Sequence, residues 1–226
     1  MPRIFTPEEI GEVVEMLLFH DLDIRSVTLG LSIQECSSHS YADVIDCVEK
    51  KVDAFAKRLS KAVEAASKKY GVKVVTKRIA LTPISIVLEP LARRGLDKAA
   101  EAGVEIAKSI DAVARRNSVD YVGGYAAFVH KGFTPGDRAV VETFPDALAA
   151  TDTVASMVNV ASTATGINVD AVNMVAPKII ELSRETPKGV GCARFAVMAK
   201  CTRGQPVYTR SLPRFGRAGG YSQCCC

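Results

Sequence analysis

The chain has 226 residues, 48% of them apolar, and a formal charge of +4, enough apolar material for one substantial core or the first part of a larger domain and too much for a disordered chain. Four of its 29 basic residues (Arg203, Arg210, Arg214 and Arg217) lie beyond residue 200, where there is no Asp or Glu, so the remaining 25 basic groups face 25 acidic ones. That neutral body offers no sustained basic stripe for nucleic-acid phosphates, and its apolar runs, interrupted by charge, read as no membrane-spanning helix.

In chain order, Thr6, Pro7 and Glu9 predict a capped first helix with His20 near its end. Ile24–Ile33 reads as a buried strand running into a polar loop with Cys36 and His39, and residues 42–70 as a long helix closed by Gly71. The pattern repeats. Residues 72–81 form a strand, 91–117 are helical with a break near Gly95, 119–125 form a short strand, and 135–150 a helix. A strand over 153–162, a helix over 168–186 and a strand over 191–199 follow. Strands alternating with helices of this length imply parallel pairing through right-handed crossovers, hence an α/β fold. No linker divides residues 1–199, which read as one domain.

In parallel α/β folds, functional groups collect beyond the carboxyl ends of the strands. That rule selects Cys36, the stretch Lys77–Pro83, the stretch Gly123–Gly132 and the stretch Asn159–Asn168. Lys77 and Arg78 sit late in a strand that ought to be buried, where a cation needs a ligand or a structural ion pair. Gly123 and Gly124 would let a ligand approach the backbone, with Lys131 supplying charge, although paired glycines also occur at sheet edges. The turn containing Ser162, Thr163, Gly166 and Asn168 either offers backbone N–H groups and a helix N-terminus to an anion or simply caps the next helix. The expected site joins Lys77, Arg78 and Lys131 as cations to Thr82, Asn159, Ser162, Thr163 and Asn168 as hydrogen-bonding groups around a small anionic molecule.

Cys36 is the one candidate nucleophile, with His39 nearby, and no second ligand pair stands at zinc spacing. Three scattered body cysteines (Cys36, Cys47, Cys192) and no secretory signal fit a reduced, cytosolic protein. The glycines form neither a dinucleotide fingerprint nor a phosphate loop, so no cofactor is specified.

Five ordered stretches, SVTLGLSIQEC, VVTKRIALTPISI, DYVGGYAAFVHKGF, ATDTVASMVNVASTATGINVDAV and GCARFAVMA, resemble uncharacterised protein family 0210, also called domain of unknown function 711. The resemblance spans about Ile24 to Ala199 and implies the α/β barrel of pyruvate formate-lyase-like proteins, ten-stranded when complete and incomplete here. It implies no activity: an enzyme acting on a small anionic metabolite and a non-catalytic metabolite sensor are both open. So is an inactive fragment. Some bacterial members have an ACT-domain protein as genomic neighbour, which implies a regulatory partner, and homo-oligomers are open as well.

Family members continue past this length, reading near NAPEDNPF and then GAFHG where this chain has KCTRGQPVYTR. Synonymous codons for Lys200–Cys226 can be chosen so that the next frame reads NAPEDNPFIRGAFHGLGEPGATVNVV. For instance, Ser211 to Arg214 as AGC CTT CCA CGG contains GCC TTC CAC GG. The expectation is a tail, residues 200–226, shifted by one base and disordered. If its frame is genuine, Arg217–Tyr221 (RAGGY) resembles a glycyl-radical loop, and the terminal cysteines resemble a lipidated end.

Overall fold

A computed structural model describes residues 6–18 and 24–199. His20 and the whole of the 200–226 tail, with the expectations attached to them, lie outside the described residues. The elements are α1 (Pro7–Leu18), β1 (Ile24–Leu31), α2 (Tyr41–Tyr70), β2 (Val74–Leu81), α3 (Ile84–Ala92), α4 (Leu96–Arg116), β3 (Tyr121–Phe128), α5 (Pro135–Ala149), β4 (Val154–Ser162), β5 (Gly166–Ile167), α6 (Val169–Glu185) and β6 (Phe195–Ala199). Short 3-10 segments occupy Gln34–Cys36 and Pro187–Arg194.

The α/β reading holds. Strands β1, β2, β3, β4 and β6 lie side by side in chain order and all run parallel, while the two-residue β5 pairs antiparallel with the end of β4. Parallel neighbours taken in sequence, each joined by a crossover of one hand, put the connecting helices on one face of the sheet. The core agrees with this. Leu31, Ile79, Leu81, Val122, Tyr125, Ala127 and Val158 join the buried residues of α2 to α6 in one large cluster. Among the described residues, the buried apolar cluster of the opposite face consists of Ala126 and Met157, flanked by Phe128, Ala196 and Met198. Among the described residues β1 pairs only with β2, and β6 only with β4, so the sheet is open.

Local chemistry sets the helix ends. Ser40 accepts from Asp43 N–H at the start of α2, and Gly71 (φ 68°) closes it in the left-handed conformation. Thr134 and Asp137 form a reciprocal capping box on α5. On the helix-covered face, Gly136 of α5 touches α3 so closely that a Cβ there would lie 2.1 Å from the Ser85 carbonyl oxygen. Phe144 stacks on Phe195 with ring centroids 4.1 Å apart, seating β6 on α5. Arg194 donates to Leu148 O at 2.7 Å and Val154 O at 3.0 Å, satisfying one carbonyl at the end of α5 and one at the start of β4. Burial lowers the pKa of its guanidinium.

Two segments depart from expectation. Ile84–Ala92 is a helix that periodicity does not announce: Ile84, Ser85, Val87, Leu88, Leu91 and Ala92 are all buried, so it lacks a polar face, and Pro83 and Pro90 read as breakers. The stretch 191–199 is strand only from Phe195, because Lys188 (φ 56°) and Gly189 (φ 67°) turn the chain within the 3-10 segment before it.

Candidate functional site

The carboxyl ends of β3 and β4 bring together the densest group of candidate polar side chains. Asn159, on β4, is fully buried, and its Nδ2 lies 3.2 Å from Nδ1 of His130, just past β3. With the amide donating to Nδ1, the neutral imidazole carries its proton on Nε2. The His130 ring meets Phe128 edge-on at 6.5 Å, which places it beside the apolar cluster of the open face. Val129 N–H donates to Asn159 O at 3.0 Å, so the two strand ends are tied by backbone as well as side chain.

Asn168 folds the β5 hairpin across these ends. Its Nδ2 donates to Val129 O at 2.6 Å, its own N–H donates to Val160 O at 2.9 Å, and its Oδ1 accepts from Ala171 N–H as the cap of α6. Ser162 Oγ accepts from Thr165 N–H at 3.1 Å and contacts Thr165 Oγ1 at 2.6 Å, closing the turn between them. Ser162 and Asn168 therefore serve the turn and the helix cap, while Thr163 stays exposed in the turn just past Asn159.

The other expected residues are spread apart. Thr82 is buried and holds the loop after β1, its Oγ1 accepting from Ile33 N–H at 3.2 Å and its N–H donating to Leu31 O at 3.2 Å. Lys77 and Arg78 are consecutive in β2 and so point to opposite faces of the sheet. Arg78 lies level with Tyr121, the first residue of β3, with its guanidinium 5.7 Å from that ring centroid. Its Nε is buried with no hydrogen-bond partner among the described residues. Lys131 is exposed beyond the other end of β3, roughly 23 Å of strand away at 3.3 Å per residue. The three cations therefore do not converge.

Gly123 is buried opposite Ala80 and Ala155. Gly124 has φ 130° at an irregularity in the β3–β4 register, and a Cβ there would lie 2.6 Å from Leu81 Cβ. Its lack of a side chain serves the approach of β2 to β3 and re-aims the rest of β3.

Cys36 needs a correction. It is disulfide-bonded to Cys47 and 2% exposed, so it is not a free thiolate, and the expectation of wholly reduced body cysteines fails for this pair. His39, its expected neighbour in function, contacts Pro90 O through Nδ1 at 3.1 Å. Among the described residues no cluster of His, Cys, Asp or Glu has the makings of a metal site, and no helix is long and apolar enough to cross a membrane.

His130 lies inside a stretch that the strand-end rule selects, yet sequence reasoning does not single it out. Its signal is positional, a single imidazole immediately beyond a strand, and its partner stands 29 residues away.

Comparison with known proteins supplies the lineage. The profile of the family described as "Uncharacterised ACR (DUF711)" matches residues 15–217. A UPF0210 protein of Pyrobaculum islandicum is 44% identical over 202 residues, which is 89% of this chain and 43% of that relative. UPF0210 proteins of Methanocaldococcus jannaschii, 42% identical over 90% of this chain and 44% of the relative, and of Desulfovibrio desulfuricans, 37% identical over 90% and 43%, match over a comparable length. The chain spans less than half the length of these relatives. With a family profile covering most of its residues and relatives aligned along nearly all of it, this chain belongs to the uncharacterised DUF711 (UPF0210) family.

Proposed function

We propose that the carboxyl ends of β3 and β4 form the binding site for a small anionic metabolite, and that the intact protein acts on it as an enzyme. The observation that carries the reading is the wholly buried Asn159 amide donating to His130. A buried amide is costly to desolvate unless its hydrogen bonds are made, and here it is spent on orienting an imidazole at the end of the sheet where ligands of parallel α/β folds bind. In this reading His130 Nε2 donates to the ligand or moves its proton. Thr163 supplies a hydroxyl, and Lys131 supplies the charge that selects an anion. Arg78 stands too far along the sheet to share that ligand.

A non-catalytic sensor is the second reading, favoured by the bonded state of Cys36, the one nucleophile expected from the sequence. In that case the partner is a regulatory protein such as an ACT-domain protein, and a ligand binds without turnover. Cytoplasmic location and the pyruvate formate-lyase-like barrel belong to the same proposal. The barrel has its support in the chain-order parallel sheet.

The test is calorimetric titration with a panel of small carboxylates and phosphates, on wild type and Asn159→Ala. The reading expects one class to bind and the substitution to weaken it at least tenfold, which is about 1.4 kcal/mol. Binding that Asn159→Ala leaves unchanged, or no binding across the panel, contradicts it. Turnover of the bound compound separates enzyme from sensor.

A further inference from the structure

The turn that follows β1 is joined to α2 twice. Cys36 is bonded to Cys47, 11 residues on, with the Cα atoms 5.4 Å apart. Glu35, beside Cys36, forms an ion pair with Lys51, one helical turn beyond Cys47. On its other side the same turn is held without sulfur. Ile33 N–H donates to Thr82 Oγ1 at 3.2 Å, Ser37 Oγ donates to Val87 O at 3.2 Å, and His39 Nδ1 lies 3.1 Å from Pro90 O. Two anchoring sets, one to α2 and one to β2 and α3, keep the cysteine backbones within disulfide reach when the bond is open.

A disulfide whose partners stay in register without it is suited to cycling. We propose that Cys36 and Cys47 form a reversible dithiol–disulfide site that exchanges with a small dithiol. The two cysteines differ in burial, and the less buried one is taken as the point of attack: Cys36 is 2% exposed, whereas Cys47 is only partly buried. An incoming thiolate attacks Cys47 Sγ, the bond between the cysteines breaks, and Cys36 leaves as a thiolate that takes up a proton. The second thiol of the reductant then attacks the mixed disulfide and releases Cys47 as a thiol. Two electrons and two protons pass to the protein, and the reductant leaves as a cyclic disulfide. The reduced state places a thiol at the carboxyl end of β1, and the oxidised state removes it. This site stands on different residues from the His130–Asn159 site.

Both cysteines fall in one tryptic peptide, Ser26–Lys50, apart from every other cysteine of the chain. The protein is equilibrated in native buffer at increasing ratios of reduced to oxidised dithiothreitol, quenched with N-ethylmaleimide, digested and weighed, with circular dichroism recorded in parallel. The proposal expects that peptide to pass from no label to two labels, with the singly labelled form always minor, to reverse with oxidised dithiothreitol, and to do so with the helical signal unchanged. Labelling that needs denaturant, reduction that melts the helical signal, or free labelling of both cysteines under oxidising conditions would each overturn it.

Discussion

The two faces of the sheet are built to different rules. On the helix-covered face, side chains interlock around polar groups that are mostly paired: Tyr125, fully buried with its phenol pKa pushed up by burial, shares a 2.6 Å hydrogen bond with Thr143, and Asp111 accepts three hydrogen bonds from Asp152 and Thr153, while Ser156 Oγ is buried with no hydrogen-bond partner among the described residues. The open face carries a small apolar patch, an arginine whose Nε has no hydrogen-bond partner among the described residues, and the His130–Asn159 pair at its end. The contrast teaches that polar groups on the first face complete the fold, whereas those on the second are candidates for chemistry.

Substitutions that break the helix-covered face should cost most. Gly136→Ala drives a Cβ into the Ser85 carbonyl of α3, and is expected to lose about 2–4 kcal/mol in urea unfolding; a loss below about 0.5 kcal/mol would mean that α3 and α5 have room to part. Next comes Asp111→Ala, which strands the Asp152 and Thr153 N–H groups and the Thr153 hydroxyl. About 2–3 kcal/mol should go with it, and Asp111→Asn should recover part of that.

Acid probes the same face without mutation. Burial alone would raise the pKa of Asp111, yet the hydrogen bonds from Thr153 and Asp152 and the charge of Arg115 bring it below the usual carboxylate value. Glu89 behaves alike: burial opposes, but Gly136 N–H and Arg93 prevail and lower it. Asp53 is lowered to about 2, first by its hydrogen bond from Lys57 and then by Asn117, against burial and with help from Arg116. Folded values below the unfolded ones contribute stability that is full above about pH 5 and lost as the pH falls through the folded values. Urea midpoints should therefore hold steady from about pH 7 to pH 5 and fall steeply toward pH 3. A midpoint that is flat to pH 3 would remove these carboxylates from the account.

The smallest effect belongs to the open face. Arg78→Ala should change stability by no more than about 0.5 kcal/mol, measured by the same unfolding curves. A large loss would show that Arg78 is part of the scaffold.

Much of this division is legible in the residues. Periodicity and caps place α2, α5 and α6 within a residue or two, because Ser40, Thr134 and Asn168 each accept from a backbone N–H of the first turn. Period-two alternation separates Lys77 from Arg78, a consequence that the expected site, which joins them, does not use. Helix α3 is hidden because most of it is buried and the exposed position, Ile86, is itself apolar, which erases the amphipathic signal. The His130–Asn159 contact depends on the β3–β4 register, which shifts between Gly123 and Tyr125. Short-range patterns do not encode such a shift. The Cys36–Cys47 bond likewise depends on how the 3-10 turn sets Cys36 over the second turn of α2.

The most direct test of the open-face site is the His130 imidazole itself, followed by proton–carbon NMR while malonate or inorganic phosphate is added to wild type and to Asn159→Ala. The account predicts a saturable shift of the His130 ring resonances in the wild type, weakened at least tenfold in the variant, with His39 unmoved. Ring resonances of His130 that do not respond to either anion, or that move together with those of His39 in both proteins, would contradict it.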